Sequence, residues 1–293
     1  MNERIASRCV CCGSADLSRS PAILMPFVAS RAFNWTPVEI TPEWGLRTIR
    51  TGMAYPLCNS LQCQACGLLF LDLRFSEAEM AALYSGYRGE KYAALRESFE
   101  PGYAKLNAEI LVYPYDTSEV EAFLASHVVS SPRVLDWGGD TGANTPFRNT
   151  AAGVDIFDIS DRPLTRGARR VGLGELQGAH YDLVVMSHIL EHISEPAGPL
   201  QAVTGMLDET SVVYIEVPYE GLVAEAAASR ELAPKKKYWH EHINFFTEEA
   251  VRKLIAGCGL EVVELHIRPI FSLSSITQVL SVVCRLPLGV VKP

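Results

Sequence analysis

The run Val134-Leu135-Asp136-Trp137-Gly138-Gly139-Asp140-Thr141-Gly142 constrains this chain more than any other stretch. A short apolar strand feeds straight into a glycine turn. Glycine adopts positive φ without steric cost, so such a turn lets backbone approach a ligand closely. Strand-like and helix-like segments alternate after it. Strands are predicted at 133–137, 151–159, 181–186 and 211–217, the last ended by Pro218, and a helix at 200–207. Thr247 caps a helix that runs to about Cys258 and stops at Gly259, and closing strands are predicted at 260–267 and 276–284. This alternation implies an α/β fold with a largely parallel sheet and helices on both faces. In such a sheet, ligands sit beyond the carboxyl ends of the strands, at the switch point.

The turn carries acids where a pyrophosphate would otherwise lie. Asp136 ends the first strand and Asp140 sits among Gly138, Gly139 and Gly142. Negative charge there disfavours phosphate and suits a cationic ligand with an amino-acid head group. Asp158 ends the second strand, 22 residues after Asp136, where a carboxylate can accept both ribose hydroxyls of a nucleoside; Asp155 takes that place if the strand ends early. The spacing is G-G-x-x-G rather than the dinucleotide G-x-G-x-x-G, which leaves an NAD-dependent enzyme as the rival use of the turn and a purely structural turn as the plain one.

With 26 Lys plus Arg against 34 Asp plus Glu, the chain has a net charge of −8, which argues against a nucleic-acid binder. No apolar run reaches the length of a membrane span, and Met1-Asn2-Glu3-Arg4 leads into cysteines rather than a signal-peptide core. The expected compartment is the cytoplasm, where thiols stay reduced and often serve metals. Eight cysteines are present, and four stand in two C-x2-C-G turns, Cys9 to Gly13 and Cys63 to Gly67. Cys9, Cys12, Cys63 and Cys66 are therefore the expected ligands of a closed, structural zinc ion, with Cys11 a spectator; four inert buried thiols are the alternative. Cys58, Cys258 and Cys284 lack partners at ligand spacing and read as core or spare thiols. Between the turns, Pro21, Pro26, Trp35, Pro37, Pro42 and Trp44 suggest short strands and loops.

From residue 75 the pattern turns helical. Ser76 and Glu79 form a capping box ahead of Met80, Leu83 and Tyr84, and 119–127 reads as another helix. Tyr84, Tyr87, Tyr92, Tyr113 and Tyr115 are either a lid over adenosine or acceptor, with Tyr92 assigned to the cofactor, or core residues. The expected division is a zinc-knuckle module at 1–74, a Tyr-rich helical linker or lid at 75–131 and the cofactor-binding domain at 132–293.

At this point the residues resemble class I S-adenosylmethionine-dependent methyltransferases. VLDWGGDTG looks like their first motif and YDLVVMSHILEHISEP like their fourth strand and the loop after it. The resemblance covers about 133–267 and implies a Rossmann-like methyltransferase sheet binding S-adenosylmethionine. It places His188, with Ser187 before it, beside the sulfonium and the acceptor, and offers Glu175 as the acid near adenine. Asp140 stands where the family has the second glycine of G-x-G-x-G. With the cysteine turns included, the chain is similar to zinc-containing sugar methyltransferases of deoxysugar and polysaccharide pathways. Their Y-H-E-H-type motif appears here as Tyr238-Trp239-His240-Glu241-His242, with Trp239 in the tyrosine position. The further C-terminal domain of many carbon-methylating relatives is not expected here.

A sugar hydroxyl needs a base near neutral pH, because the sulfonium already provides a good leaving group. Imidazole fits, particularly beside an orienting carboxylate. In an extended segment His240 and His242 share a face. The resemblance selects His242 as base, with Glu241 as orienter or second acid/base and His240 next. Two other uses stay open for His-Glu-His: capping the next helix, or ligating a metal together with His188 and Glu191-His192. Lys235, Lys236 and Lys237 either bind the diphosphate of a nucleotide sugar or form a solvated loop. The expected reaction is methyl transfer to an oxygen of a sugar or related small molecule. Carbon methylation and a non-catalytic adaptor built on the same fold are the alternatives.

Overall fold

The computed structural model describes residues 3–112, 115–226, 228–271, 276–287 and 289; Tyr113 lies outside them. The chain begins with β1 (Leu17–Leu24), α1 (Pro26–Phe33), β2 (Val38–Ile40), β3 (Gly52–Ala54), β4 (Leu57–Cys63) and β5 (Leu69–Leu71). Four helices follow: α2 (Glu77–Tyr84), α3 (Glu90–Phe99), α4 (Tyr103–Val112) and α5 (Ser118–Leu124). Then come β6 (Arg133–Trp137), β7 (Gly153–Phe157), β8 (Ala168–Arg170), α6 (Leu173–Leu176), β9 (Leu183–Ser187), α7 (Ala197–Thr204) and β10 (Val212–Pro218). The last elements are α8 (Gly221–Ala224), β11 (Tyr238–Trp239), β12 (Asn244–Phe245), α9 (Glu248–Gly257), β13 (Glu261–Phe271) and β14 (Ile276–Arg285).

Seven strands form the main sheet in the order β13-β14-β10-β9-β6-β7-β8. β8, β7, β6, β9 and β10 run parallel, while β14 pairs antiparallel with β10 and β13 antiparallel with β14. The sheet is largely parallel, as expected, and β13 and β14 add a long antiparallel hairpin on one edge. Chain order reverses between β6 and β9, so the switch point lies where β6 runs into the glycine turn. On β9 the alternation is direct: Leu183 and Val185 pack with α5 residues on one face, Val184 and Met186 with the larger core on the other. α9 buries Ala250, Val251, Leu254 and Ile255, one stripe at helical spacing, and Thr247 caps it as expected. The Ser76–Glu79 capping box is also present.

The second sheet has the order β11-β1-β4-β5-β12. Its edges come from the far end of the sequence. β11 pairs parallel with β1, and β12 pairs antiparallel with β5. The expected boundaries at 74 and 131 did not anticipate this return of 238–245. The stretch between the cysteine turns also contains α1, which Pro26 starts and whose Phe27, Val28 and Ala29 are buried. Among the described residues, no helix is long and apolar enough to cross a membrane.

Candidate functional site

The two cysteine turns are near copies. Gly13 N–H donates to the Cys9 carbonyl at 2.9 Å and Gly67 N–H to the Cys63 carbonyl at 2.9 Å, and both glycines have positive φ. The turns face each other, with Cys9 Sγ 3.5 Å from Cys66 Sγ and Cys12 Sγ 3.5 Å from Cys63 Sγ. All four sulfurs lie within 4.8 Å of one another, and Cys11 is not among them. Thiolates on a tetrahedral zinc stand about 3.8 Å apart, so the donor set fits that ion. α9 packs against the cluster: Thr247 Oγ1 donates to the Cys66 carbonyl and Lys253 Nζ to the Ala65 carbonyl.

At the glycine turn, Gly138 has φ +86°, and a Cβ there would lie 1.9 Å from Ile189 Cδ1. A Cβ on Gly139 would meet the Asp136 carboxylate at 2.5 Å. Asp136 is buried and accepts a 2.6 Å hydrogen bond from Thr145 Oγ1. Burial pushes its carboxyl up to about 7. Asp140 takes positive φ, which Asp tolerates better than most residues, so the departure from glycine keeps the turn's shape. Its carboxylate, however, is paired with Arg162 and accepts from Ser160 Oγ. The expected pair of free acids in the turn is thus corrected: Asp140 is neutralised within the chain, and Asp136 and Asp158 are the acids left. Asp158 accepts from Asp140 N–H at 2.8 Å and from Ser160 N–H at 2.6 Å, which places it against the turn. Asp155 points elsewhere, to Arg169 and Tyr181. Glu175 caps the first turn of α6 and approaches Arg169.

Beyond β9 the chain turns at His188, whose φ is +55°. Its ring lies 3.4 Å from Glu191 and 3.3 Å from Glu216. Burial works against its charge, but those two carboxylates outweigh it and raise the imidazole. Glu216 is fully buried yet accepts from Ser187 Oγ at 3.0 Å, Tyr214 at 2.6 Å and Arg268 at 2.5 Å. Tyr115 approaches the same carboxylate at 3.3 Å. Sequence reasoning missed Glu216. The available signal was a lone acid inside the otherwise apolar strand VVYIEVP.

His240, Glu241 and His242 join β11 to β12 and cross the end of the small sheet. They line a cleft of about 400 Å³ with Arg96, Glu220, Lys236 and Tyr238. Glu241, expected to orient His242, instead takes a bidentate ion pair from Arg96 at 2.8 and 3.2 Å. Burial opposes its charge, but Arg96 outweighs that and holds it at about 2. The orienting carboxylate is Glu220, whose Oε1 lies 2.8 Å from His242 Nδ1. The His242 and His192 rings stand edge to face at 4.6 Å, and Tyr84 Oη and the Glu241 carbonyl approach His192 Nδ1 at 2.7 and 3.0 Å. His240 Nδ1 is 3.9 Å from Glu100. Of the three lysines, only Lys236 lines the cleft; it sits over the rings of Phe245, Tyr238 and Trp239, and burial lowers it to about 8. Tyr92, expected at the cofactor, is only 3% exposed and packs among Phe27, Tyr87 and Tyr103, a core position.

Ile189 packs over the glycine turn, and His188 beside it leads through Glu191 and His192 to this histidine group, so the two clusters adjoin beyond the carboxyl end of β9. A family model described as a methyltransferase domain matches residues 107–265, more than half of the chain. The chain belongs to this methyltransferase family. The expected class, an S-adenosylmethionine-dependent methyltransferase with a Rossmann-like sheet, therefore stands. Among solved structures, the methyltransferase is similar to 1,6-didemethyltoxoflavin-N1-methyltransferase from Burkholderia thailandensis, at 18% identity and TM-score 0.47, over 67% of this chain and 89% of that one. It is also similar to magnesium protoporphyrin IX methyltransferase from Synechocystis PCC 6803, at 15% identity and TM-score 0.45, over 70% of this chain and 99% of that one. No curated protein sequence matches it.

The buried acid of this methyltransferase makes its stability depend on pH. The Asp136 carboxyl titrates near 3.8 in an unfolded chain and at about 7 here, so the folded state binds the extra proton between those values. Stability therefore falls as pH rises through that window and levels above it. Asp136→Asn keeps an acceptor for Thr145 and removes the ionisation. Its advantage over wild type in urea unfolding is expected to grow by about 2–3 kcal/mol between pH 5 and pH 8. An advantage that does not change with pH rules out this account of Asp136.

Proposed function

We propose that this methyltransferase methylates a hydroxyl of a sugar, free or nucleotide-linked, with His242 as the base. The observation that carries the reading is the polar cleft at 240–242. It brings two imidazoles, a cation on each side (Arg96 and Lys236) and the Glu220 carboxylate to one opening beside the end of β9. A polyhydroxylated acceptor offers donors and acceptors to such a wall, and the Lys236 ammonium suits a phosphate on it.

Bound S-adenosylmethionine supplies an electrophilic methyl group on a sulfonium. In this reading Asp158 takes the ribose hydroxyls, and the Asp136 carboxylate faces the amino-acid end across Gly138 and Gly139. Ser187 and His188 border the acceptor side. Glu220 accepts the Nδ1–H of His242 and leaves Nε2 with the lone pair that takes the hydroxyl proton. His240 and Glu241 shape the acceptor wall, the latter by fixing Arg96. Cys9, Cys12, Cys63 and Cys66 hold a structural zinc ion, and 1–74 forms the module around it.

Calorimetry with S-adenosylhomocysteine and NAD, followed by mass analysis of nucleotide-diphosphate sugars incubated with S-adenosylmethionine, tests the reading. Binding of the former only, and a product heavier by one methylene unit, are expected. Turnover of non-sugar hydroxyls alone overturns the sugar assignment. Absence of any turnover would favour the adaptor alternative.

A further inference from the structure

We propose that Glu191, His192 and His242 form a binding site for one divalent transition-metal ion of the zinc class, separate from the four cysteines. One ligand atom from each lies within 4.8 Å of the other two. Glu191 is 1% exposed, and neither carboxylate oxygen has a hydrogen-bond partner. The nearest ring nitrogens, His188 Nδ1 at 3.4 Å and His192 Nε2 at 3.8 Å, approach Oε1 without hydrogen-bond geometry. The His188 imidazole offsets part of the cost of burying this carboxylate, but no hydrogen bond replaces the water its oxygens gave up. A cation between it and the two histidines supplies the missing partner.

The histidines are set for that role. His192 Nδ1 faces the Glu241 carbonyl at 3.0 Å, and His242 Nδ1 faces the Glu220 carboxylate at 2.8 Å. Histidines that ligate metals donate their other N–H to a carbonyl or carboxylate in this way, which fixes the tautomer and leaves the lone pair on the ligating nitrogen. With Nδ1 of each ring engaged in this way, Nε2 is the nitrogen left to ligate. Two imidazoles and one carboxylate, without thiolate, match zinc, cobalt, manganese or iron(II), and three protein ligands leave a coordination position open. Ligands about 2.1 Å from a tetrahedral ion stand about 3.4 Å apart, so the group closes by at most about 1.4 Å between any two ligand atoms.

One consequence rests on the function proposed above. An ion on His242 Nε2 takes the lone pair that the base needs, so the loaded site does not deprotonate the acceptor. Transition ions then act as inhibitors competitive with the proton-accepting state.

The site is tested on the full-length chain, without substrate, by equilibrium dialysis against cobalt(II) and zinc, with metal quantified and the cobalt spectrum recorded. Wild type is expected to hold one ion more than His192→Ala and Glu191→Gln. The extra cobalt should show visible bands without the sulfur-to-cobalt charge transfer of the cysteine cluster. Either variant is expected to weaken that ion by at least about 100-fold, since even outer-shell partners contribute about 10–100-fold. Wild type that holds no ion beyond the cysteine-bound one at about 100 μM metal overturns the proposal, whether or not the variants fold. So does an extra ion that both variants retain. Neither result bears on sugar turnover, and failure of turnover leaves this measurement unaffected.

Discussion

With His242 as the proposed base, His242→Ala is expected to lower kcat by about 10²–10⁴, the range by which a positioned general base accelerates proton transfer. S-adenosylhomocysteine binding stays within about threefold, because the ring contacts His192 and Glu220 and none of the glycine-turn residues. Glu220→Gln gives a smaller loss, since the amide oxygen still accepts the Nδ1–H but no longer stabilises an imidazolium. Single-turnover rates with saturating S-adenosylmethionine provide the measurement. A His242→Ala enzyme within threefold of wild type removes His242 as the base and transfers the question to His240, which lines the same cleft. Glu241→Gln behaves differently. It weakens the bidentate pair on Arg96, which is buried against the Phe27 and Tyr103 rings and keeps only Glu100, at 2.7 Å, as a charged partner, so its cost falls mainly on folding.

How far the site was legible follows from which interactions are local in sequence. The glycine turn, the β9 strand, the capping box at Ser76 and the Thr247 cap are decided within a few residues, and each was readable. So was the cysteine set, because ligand spacing repeats within each turn. The partners of His242 and Glu241 were not. Glu220 lies 22 residues upstream of His242, and Arg96 is 145 residues from Glu241 in α3, so only the folded arrangement pairs them. The adjacency of Glu241 and His242 suggested the wrong partnership because neighbours in an extended segment point to opposite sides. Asp140 misled in another way. Its charge was visible and its neutralisation by Arg162 was not, since the loop after β7 had no pattern to place that arginine. The edge strands β11 and β12 escaped notice for a simpler reason: two residues each are too few to carry a period.

Those same edge strands connect the cysteines to the chemistry. With zinc on the four cysteines as proposed, its removal by a chelator, or Cys63→Ser, is expected to abolish methyl transfer while sparing most of the cofactor binding. Structural zinc contributes about 10–16 kcal/mol of apparent binding energy in isolated fingers, which is folding energy when the apo turns have no other order. Here the first β-strands also have an apolar core, so the expected result is a lowered melting transition of the N-terminal sheet rather than global collapse. The sheet that loosens is the one that frames His240–Glu241–His242. Ile23 and Leu24 of β1 register with Tyr238 and Trp239, and Phe70 and Leu69 of β5 register with Asn244 and Phe245. Trp239 Nε1 donates to Ser60 Oγ at 2.8 Å, and Leu71 N–H donates to the Ile243 carbonyl at 3.0 Å. Once β1 and β5 lose their register, the proposed base His242 has no fixed position relative to the end of β9, and a displacement of about 1 Å already costs on the order of 10²-fold in rate. The glycine turn belongs to the other sheet, so S-adenosylhomocysteine affinity should fall by less than about tenfold. Metal analysis, calorimetry and a turnover assay on the same chelated sample decide the matter. Full activity with the metal gone separates the cysteine cluster from the site, and loss of both activity and cofactor binding places the zinc module in the stability of the whole chain.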